Sequence, residues 1–281
     1  MMEHKMNTFK KGLLAGAAAL TLSMTAQAGN INVGGVIWDP EDGADFSSNT
    51  SLVEDQLNFN PAAGPIVDEL TGFGIVNIFN GDLVGDFCPG CELTFQFGGF
   101  VVDNPATDIV TGDFDLLNAG LETFIGFTGG WINFYIDDTA DYDSEVFASA
   151  GSEGAANALF LRLEAHEVFN AILGKDLSIG SILSSFGIGS DKGVGSSLMD
   201  AVSGLAFENF DTNEEADGAD ITFTSSFQPY SDQSQADVNG GYELFGSADL
   251  SGNSIGIPEP STIALLGLGL LGFAGARKRK A

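Results

Sequence analysis

Basic residues are scarce in this sequence: Lys and Arg account for 10 of 281 residues, against 39 Asp and Glu. Three of the ten lie in residues 1–28 and four lie close to the C-terminus. Residues 29–260 therefore hold three basic and 38 acidic side chains, a formal net charge of −35. This part of the chain, here called the body, is strongly negative and therefore repels nucleic acid, which we exclude as a partner. It also repels anionic polysaccharide unless cations bridge the two, and it suits a medium rich in salt or Ca²⁺.

Histidine is almost absent, at positions 4 and 166 only. With a single histidine in the body, a multi-histidine metal centre is excluded. His166 and Glu167 begin the zinc motif H-E-x-x-H, but Asn170 stands where the second histidine is needed. We interpret His166 as a strand residue on a solvated face.

Cysteine occurs twice, as Cys88 and Cys91 on either side of Pro89-Gly90. Apolar runs flank this tetrapeptide, so we expect a hairpin turn between two strands. In an exported chain, two cysteines are expected to form a structural disulfide. Redox and metal-binding roles are the alternatives, and a redox role would need a thiol pKa lowered at a helix N-terminus.

The N-terminus has the three parts of a secretory signal peptide. Lys5, Lys10 and Lys11 precede the apolar run 12–22. A small-residue site with Ala26 and Ala28 follows, which predicts cleavage after residue 28.

The C-terminus has three signals in a fixed order. The stiff tripeptide Pro258, Glu259 and Pro260 comes first, and the uncharged run 261–276 follows. The chain then turns basic, at Arg277, Lys278, Arg279 and Lys280. As a transmembrane helix the run would span about 24 Å, short of the roughly 30 Å hydrocarbon core. The basic residues should stay cytoplasmic, which leaves the preceding chain outside the inner membrane.

Residues 257–281 resemble the PEP-CTERM sorting signal of Gram-negative bacteria. The resemblance rests on the Pro258–Glu259–Pro260 tripeptide, the Leu/Gly-rich run and the basic end. It implies recognition by exosortase, an integral membrane cysteine peptidase, and export to the cell surface or extracellular matrix. Proteins with this signal tend to accompany exopolysaccharide systems. The resemblance implies no chemistry for residues 29–256.

Between the two ends, the pattern predicts an all-β body. Residues 92–97 and 221–227 alternate apolar and polar side chains, and residues 158–167 do the same. Short strands with Gly-rich turns favour an antiparallel β-sandwich or jelly roll over residues 29–250, followed by a short tether over 251–256. We expect one short helix near residues 196–203. Trp131, at a strand start, is interpreted as a core residue, with sugar stacking as the alternative.

Three acidic clusters, at residues 39–45, 137–143 and 211–220, are candidate Ca²⁺ sites. Hard cations take six to eight oxygen ligands, and closely spaced carboxylates supply several of them. We place the candidate ligands in the second cluster, at Asp137, Asp138, Asp141 and Asp143. The third begins like an EF-hand loop but has Ala216 where that loop needs glycine. Solvated turns are the alternative for all three.

Two function classes follow from the sequence. The first is a non-enzymatic envelope or matrix protein associated with exopolysaccharide or with neighbouring cells, and we favour it. The second is a secreted carbohydrate-active or other hydrolytic enzyme on the same anchor. An open groove lined by carboxylates and an exposed aromatic ring would favour the enzyme.

We predict that the C-terminal segment is processed near Pro258. A 16-residue apolar run is marginal for a lasting span, and the tripeptide lies where a membrane peptidase could reach it. Replacing Pro258, Glu259 and Pro260 should leave an unprocessed precursor in the inner membrane. Mass spectrometry of the surface protein's C-terminal peptide is the measurement. A surface protein that still ends in Lys280-Ala281 would make the tail a plain anchor.

Overall fold

The computed structural model describes seven stretches of the chain, residues 29–54, 69–102, 122–151, 158–171, 174–184, 192–229 and 244–257. The predicted signal peptide and cleavage site, Pro258–Glu259–Pro260, the apolar run and the four basic residues lie outside these stretches. Among the helices of the described stretches, none has the length and apolar character to cross a membrane.

Most of the described residues form β-strands. The strands are β1 (Ile31–Val33), β2 (Val36–Trp38), β3 (Ala44–Glu54), β4 (Glu69–Ile75), β5 (Ile78–Phe79), β6 (Asp82–Leu83), β7 (Glu92–Val102), β8 (Glu122–Thr128), β9 (Trp131–Asp137), β10 (Ala158–His166), β11 (Val168–Asn170), β12 (Lys175–Leu177), β13 (Ile179–Ser184), β14 (Lys192–Ser203), β15 (Ile221–Pro229) and β16 (Leu244–Gly252). The short helices are α1 (Val84–Phe87), α2 (Phe207–Phe210) and the 3₁₀ turns Pro40–Asp42, Phe147–Ala150 and Ala216–Gly218.

Eight antiparallel strands close into a ring. Going round it, the order is β3, β16, β15, β14, β10, β9, β7 and β4, and β4 pairs with β3 again. Closure satisfies strand edges that would otherwise stay open to other chains. The predicted all-β antiparallel class is confirmed. The strands form one curled sheet rather than the two facing sheets of a sandwich.

Two long strands each pair with two different neighbours along one edge. Along one edge, β7 pairs with β9 and then, at Val101 and Val102, with β8. Likewise β14 pairs along one edge with β13 and then with β10, and β8 pairs with β13. Gly99 has φ +74° between the two halves of β7, and a Cβ there would lie 2.9 Å from Cδ1 of Trp131. Glycine therefore serves both the backbone conformation and the close approach of the indole.

Aromatic rings fill the interior of the ring. Leu93, Phe95 and Phe97, which share one face through the predicted alternation of residues 92–97, are at most 2% exposed and form the inner face of β7. The ring centroids of Phe46 and Phe134 are 5.5 Å apart, and those of Phe95 and Phe134 are 5.7 Å apart. Contacts of this kind continue through Phe79, Trp38, Phe160 and Phe210. One continuous core of buried rings results.

Two sequence expectations about the body differ from the structure. The short helix expected near residues 196–203 was wrong, because β14 covers them and pairs on both edges. The tether expected over 251–256 also differs: β16 runs to Gly252, and Ser254 is 8% exposed. The tether was predicted from the polar composition of this stretch, which does not reveal its contacts with residues more than 200 positions earlier.

We predict that Phe134→Ala destabilises the protein by about 3–5 kcal/mol, the usual cost of emptying a packed aromatic site. Phe134 is fully buried between Phe46 and Phe95. Phe169→Ala is the matched control, since Phe169 is 62% exposed and should change stability by no more than about 0.5 kcal/mol. Denaturant unfolding of both variants measures the difference. Equal losses would contradict a core centred on Phe134.

Candidate carboxylate site on the outer face

Three carboxylates converge on the outer face of the sheet. Glu92 begins β7 and lies directly opposite Asp137, which ends β9. Asp141 follows in the next loop. One carboxylate oxygen from each lies within 4.8 Å of the others. Glu92 is 4% exposed and Asp137 is 2% exposed, whereas Asp141 is exposed.

Burial outside the ring comes from the segment 138–151, which folds over β4 and β7. Alternation along β7 points Leu93 inward and therefore points Glu92 and Thr94 outward. The Thr94 hydroxyl donates to the Ala150 carbonyl at 3.1 Å. Phe73 and Ala150 are both fully buried here in a small second cluster. The segment therefore turns an outer face of the sheet into a second, smaller interior.

Glu92 holds this segment in place. Its carboxylate accepts the backbone N–H of Tyr142 at 2.9 Å and that of Asp141 at 3.4 Å. Asp137 accepts the N–H of Thr139 at 2.8 Å, which shapes the turn after β9. The carboxylates therefore stabilise the loop through hydrogen bonds, in addition to lying close to one another.

Burial raises the pKa of Glu92 above its ordinary value of 4.5. The N–H groups of Asp141 and Tyr142 act in the opposite direction, and the charges of Asp137 and Asp141 raise the pKa further. Two buried carboxylates side by side repel each other unless a proton or a cation lies between them. Three carboxylate oxygens are part of the ligand set of a hard cation, and carbonyl groups or water would complete it. The site is therefore suited chemically to hold either a proton or a divalent cation.

Two of the four predicted ligands belong to this site. Asp137 and Asp141 lie in it, whereas Asp138 and Asp143 are outside the group of three. Asp138 accepts the Thr139 hydroxyl at 3.3 Å, and Asp143 accepts the N–H of Glu145 at 2.9 Å. Sequence reasoning missed Glu92, which is 45 residues before Asp137 and adjacent to it only through strand pairing.

The other two acidic clusters form turns. Asp220 is 3% exposed and accepts the N–H groups of Ala201, Thr212 and Asn213 at 2.6–2.8 Å. In the EF-hand-like stretch, the Asn213 amide donates to Asp211 at 3.0 Å. The first cluster caps its own 3₁₀ turn, because Asp39 accepts the N–H of Glu41 at 2.9 Å. These side chains are engaged in shaping their own loops.

His166 is a partly solvated strand residue of β10, and it also has an acidic partner that was not expected. Its Nδ1 lies 3.0 Å from both carboxylate oxygens of Asp200, across the β10–β14 pairing. The side chains of His166 and Asp200 are 24% and 40% exposed. No local pattern predicts this pair, because it depends on which strands are neighbours.

Trp131 is half-buried on the outer face rather than in the core. The Arg162 guanidinium carbon lies 5.9 Å from its ring centroid, and the same group pairs with Glu164 at 3.0 Å. The outward direction follows from alternation, since Ile132 next to it points inward. The core interpretation of Trp131 was wrong, whereas Trp38 is a core residue at 2% exposure.

Cys88 and Cys91 are bonded, with Cα atoms 5.2 Å apart. Cys88 caps the C-terminal end of α1, where its N–H donates to the carbonyl of Val84, the first residue of that helix. The Cys91 N–H donates to the Cys88 carbonyl. Their turn joins a helix to β7, so the expected strand–strand hairpin was wrong. Cys88 follows a helix C-terminus, and thiol pKa values are lowered at helix N-termini, so this placement favours a structural bond over a redox role.

Comparison with known proteins concerns only the C-terminus. Residues 256–280 match the family model of the PEP-CTERM protein-sorting motif, which confirms the resemblance described above. The motif supports export and membrane-associated sorting to the cell surface, with processing by an exosortase-type membrane enzyme. Neither the curated proteins nor the solved structures compared with the chain include a match.

We predict that stability falls as pH rises from the ordinary pKa of Glu92, 4.5, to its raised value in the folded protein. Over that window the folded state binds more protons than the unfolded state, so each rise in pH favours unfolding. Glu92→Gln should flatten this part of the profile in cation-free buffer. Thermal melting between pH 4 and pH 8 is the measurement.

Asp138→Asn is the control for this experiment, because it removes one exposed charge from the same loop. Asp45, whose pKa is raised by burial and by Asp249, contributes with the same sign in every variant. The difference between wild type and Glu92→Gln therefore isolates Glu92. A difference that does not change with pH would contradict the prediction.

Proposed function

We propose that this is a non-enzymatic protein of the cell surface or extracellular matrix, which associates with exopolysaccharide or with neighbouring cells through divalent cations. The observation that carries the proposal is the filled interior of the strand ring. Among the described residues, twelve aromatic side chains, eleven of them Phe, are at most 2% exposed, and most of them lie in one core. A ligand of this body would bind on its outer surface.

The outer surface is strongly acidic, and its partners must be compatible with that charge. Residues 29–260 carry a net charge of −35, which repels anionic polysaccharide and other copies of the protein. Divalent cations reverse this repulsion by binding carboxylates of both partners. The Glu92, Asp137 and Asp141 carboxylates supply a place where such a cation, Ca²⁺ in our proposal, would bind to the body itself.

A secreted glycoside hydrolase or other hydrolase is the alternative. Glycosidases place two carboxylates on either side of a bond that substrate can bring between them. Here the paired carboxylates, Glu92 and Asp137, are at most 4% exposed beneath the segment 138–151. Their burial and their backbone hydrogen bonds favour a structural or cation-binding role over catalysis.

Calcium-dependent association with extracellular polysaccharide tests the proposal. Purified surface protein is mixed with exopolysaccharide from the producing cells and sedimented, with Ca²⁺ or with NaCl of matched ionic strength. We expect more protein in the pellet with Ca²⁺, and a higher melting temperature with Ca²⁺ than with NaCl, because a ligand that binds only the folded state stabilises it.

The double variant Glu92→Gln/Asp137→Asn should lose the additional stabilisation by Ca²⁺, whereas Asp138→Asn should keep it. Equal effects of Ca²⁺ and matched NaCl would reduce the role of cations to charge screening. Release of reducing sugar from the polysaccharide would overturn the non-enzymatic proposal in favour of a hydrolase.

A further inference from the structure

The chain stays attached to the body almost up to its sorting motif. After β16 ends at Gly252, residues 253–255, here called the exit segment, continue along the surface in contact with the core. By sequence, only Gly256 and Ile257 separate the exit segment from Pro258. The matched family region itself begins at residue 256.

Ser254 is the first point of attachment. It is 8% exposed, and its Oγ accepts the indole N–H of Trp38 at 3.0 Å and donates to the Gly43 carbonyl at 3.2 Å. Trp38 is itself 2% exposed, and its ring stacks on Phe210 with centroids 5.5 Å apart. The exit segment is therefore bonded to a residue of the aromatic core rather than to a surface loop.

Asn209 is the second point of attachment, and it binds Ile255 twice. The Ile255 N–H donates to the Asn209 carbonyl at 2.9 Å, and the Asn209 side-chain amide donates to the Ile255 carbonyl at 2.9 Å. Asn209 is 5% exposed in helix α2. At the start of the segment, the Asn253 amide donates to Glu214 at 3.0 Å. All three residues of the exit segment thus have a partner in the body.

These attachments limit the space next to the motif. An extended residue spans about 3.3 Å, so an enzyme that acts three residues after Ile255 works within roughly 10 Å of chain length from these attachments. Peptide-binding proteins commonly hold an extended stretch of several residues by backbone hydrogen bonds. An enzyme that acts near Pro258 would need residues on its N-terminal side, and those residues are bonded to Trp38 and Asn209.

We propose that the exit segment controls access of the membrane enzyme to the sorting motif. Processing near Pro258 follows release of residues 253–255 from the body, and Trp38, Asn209 and Ser254 act as positioning residues. The body determines only whether the enzyme can reach the motif, and it contributes no group to the reaction. This inference rests on the sorting role of the tail.

The test is a pulse-chase measurement of precursor processing in the producing cells, with the full-length chain. A flexible Gly/Ser linker of about eight residues, with a mean reach of about 15 Å, is inserted between Ile255 and Gly256. We expect the linker variant to be processed several-fold faster than wild type, with an unchanged melting temperature. Ser254→Ala, which removes the partner of Trp38, should also speed processing.

Two controls separate access from general stability. Ser251→Ala changes an exposed serine of β16 and should leave the rate unchanged. Leu244→Ala removes a buried side chain at the opposite end of β16 from the exit segment. If Leu244→Ala speeds processing as much as Ser254→Ala does, or if the linker has no effect, the proposal is overturned while sorting stands. If the wild-type chain is never processed, both this proposal and the sorting role fail.

Discussion

The structure depends on pairings between strands that are far apart in the sequence. β16 pairs with β3, about 200 residues earlier, and β14 pairs with β10 across the other side of the ring. Each of these pairings satisfies backbone groups on both strands, and loss of one would open two edges. The aromatic core depends on the same closure, because its rings come from strands all round the ring. Backbone pairing and side-chain packing therefore support each other.

Because the interior of the ring is filled, the unusual chemistry of this protein lies on the outer surface. There the segment 138–151 covers part of β4 and β7 and buries Glu92 and Asp137 together. A carboxylate pair in that position is costly when both groups are charged, so its state depends on pH and on the cations around it. The same loop is shaped by hydrogen bonds to Glu92. Its conformation and the charge state of the site are therefore linked.

Local features of the fold were predictable from the sequence, and features that depend on strand neighbours were not. The alternation of residues 92–97 placed Leu93, Phe95 and Phe97 on one face of a strand, since alternation is a property of the strand itself. Glu92 and Asp200 were missed as partners of Asp137 and His166, because each pair forms only through ladder pairing. The helix expected near residues 196–203 failed for a related reason: pairing on both edges of β14 outweighs local propensity. The sorting signal needed no tertiary information, because its three parts are contiguous.

The position of β16 has a consequence for the order of events during export. This strand lies between β15 and β3 in the ring, yet among the described strands it is the last to be synthesised. Until residues 244–252 have crossed the membrane, β3 lacks its β16 neighbour and the ring is open. Such long-range pairings are formed slowly compared with local ones. The sorting motif follows this strand within a few residues, so the ring can close only when the motif is itself about to reach the membrane.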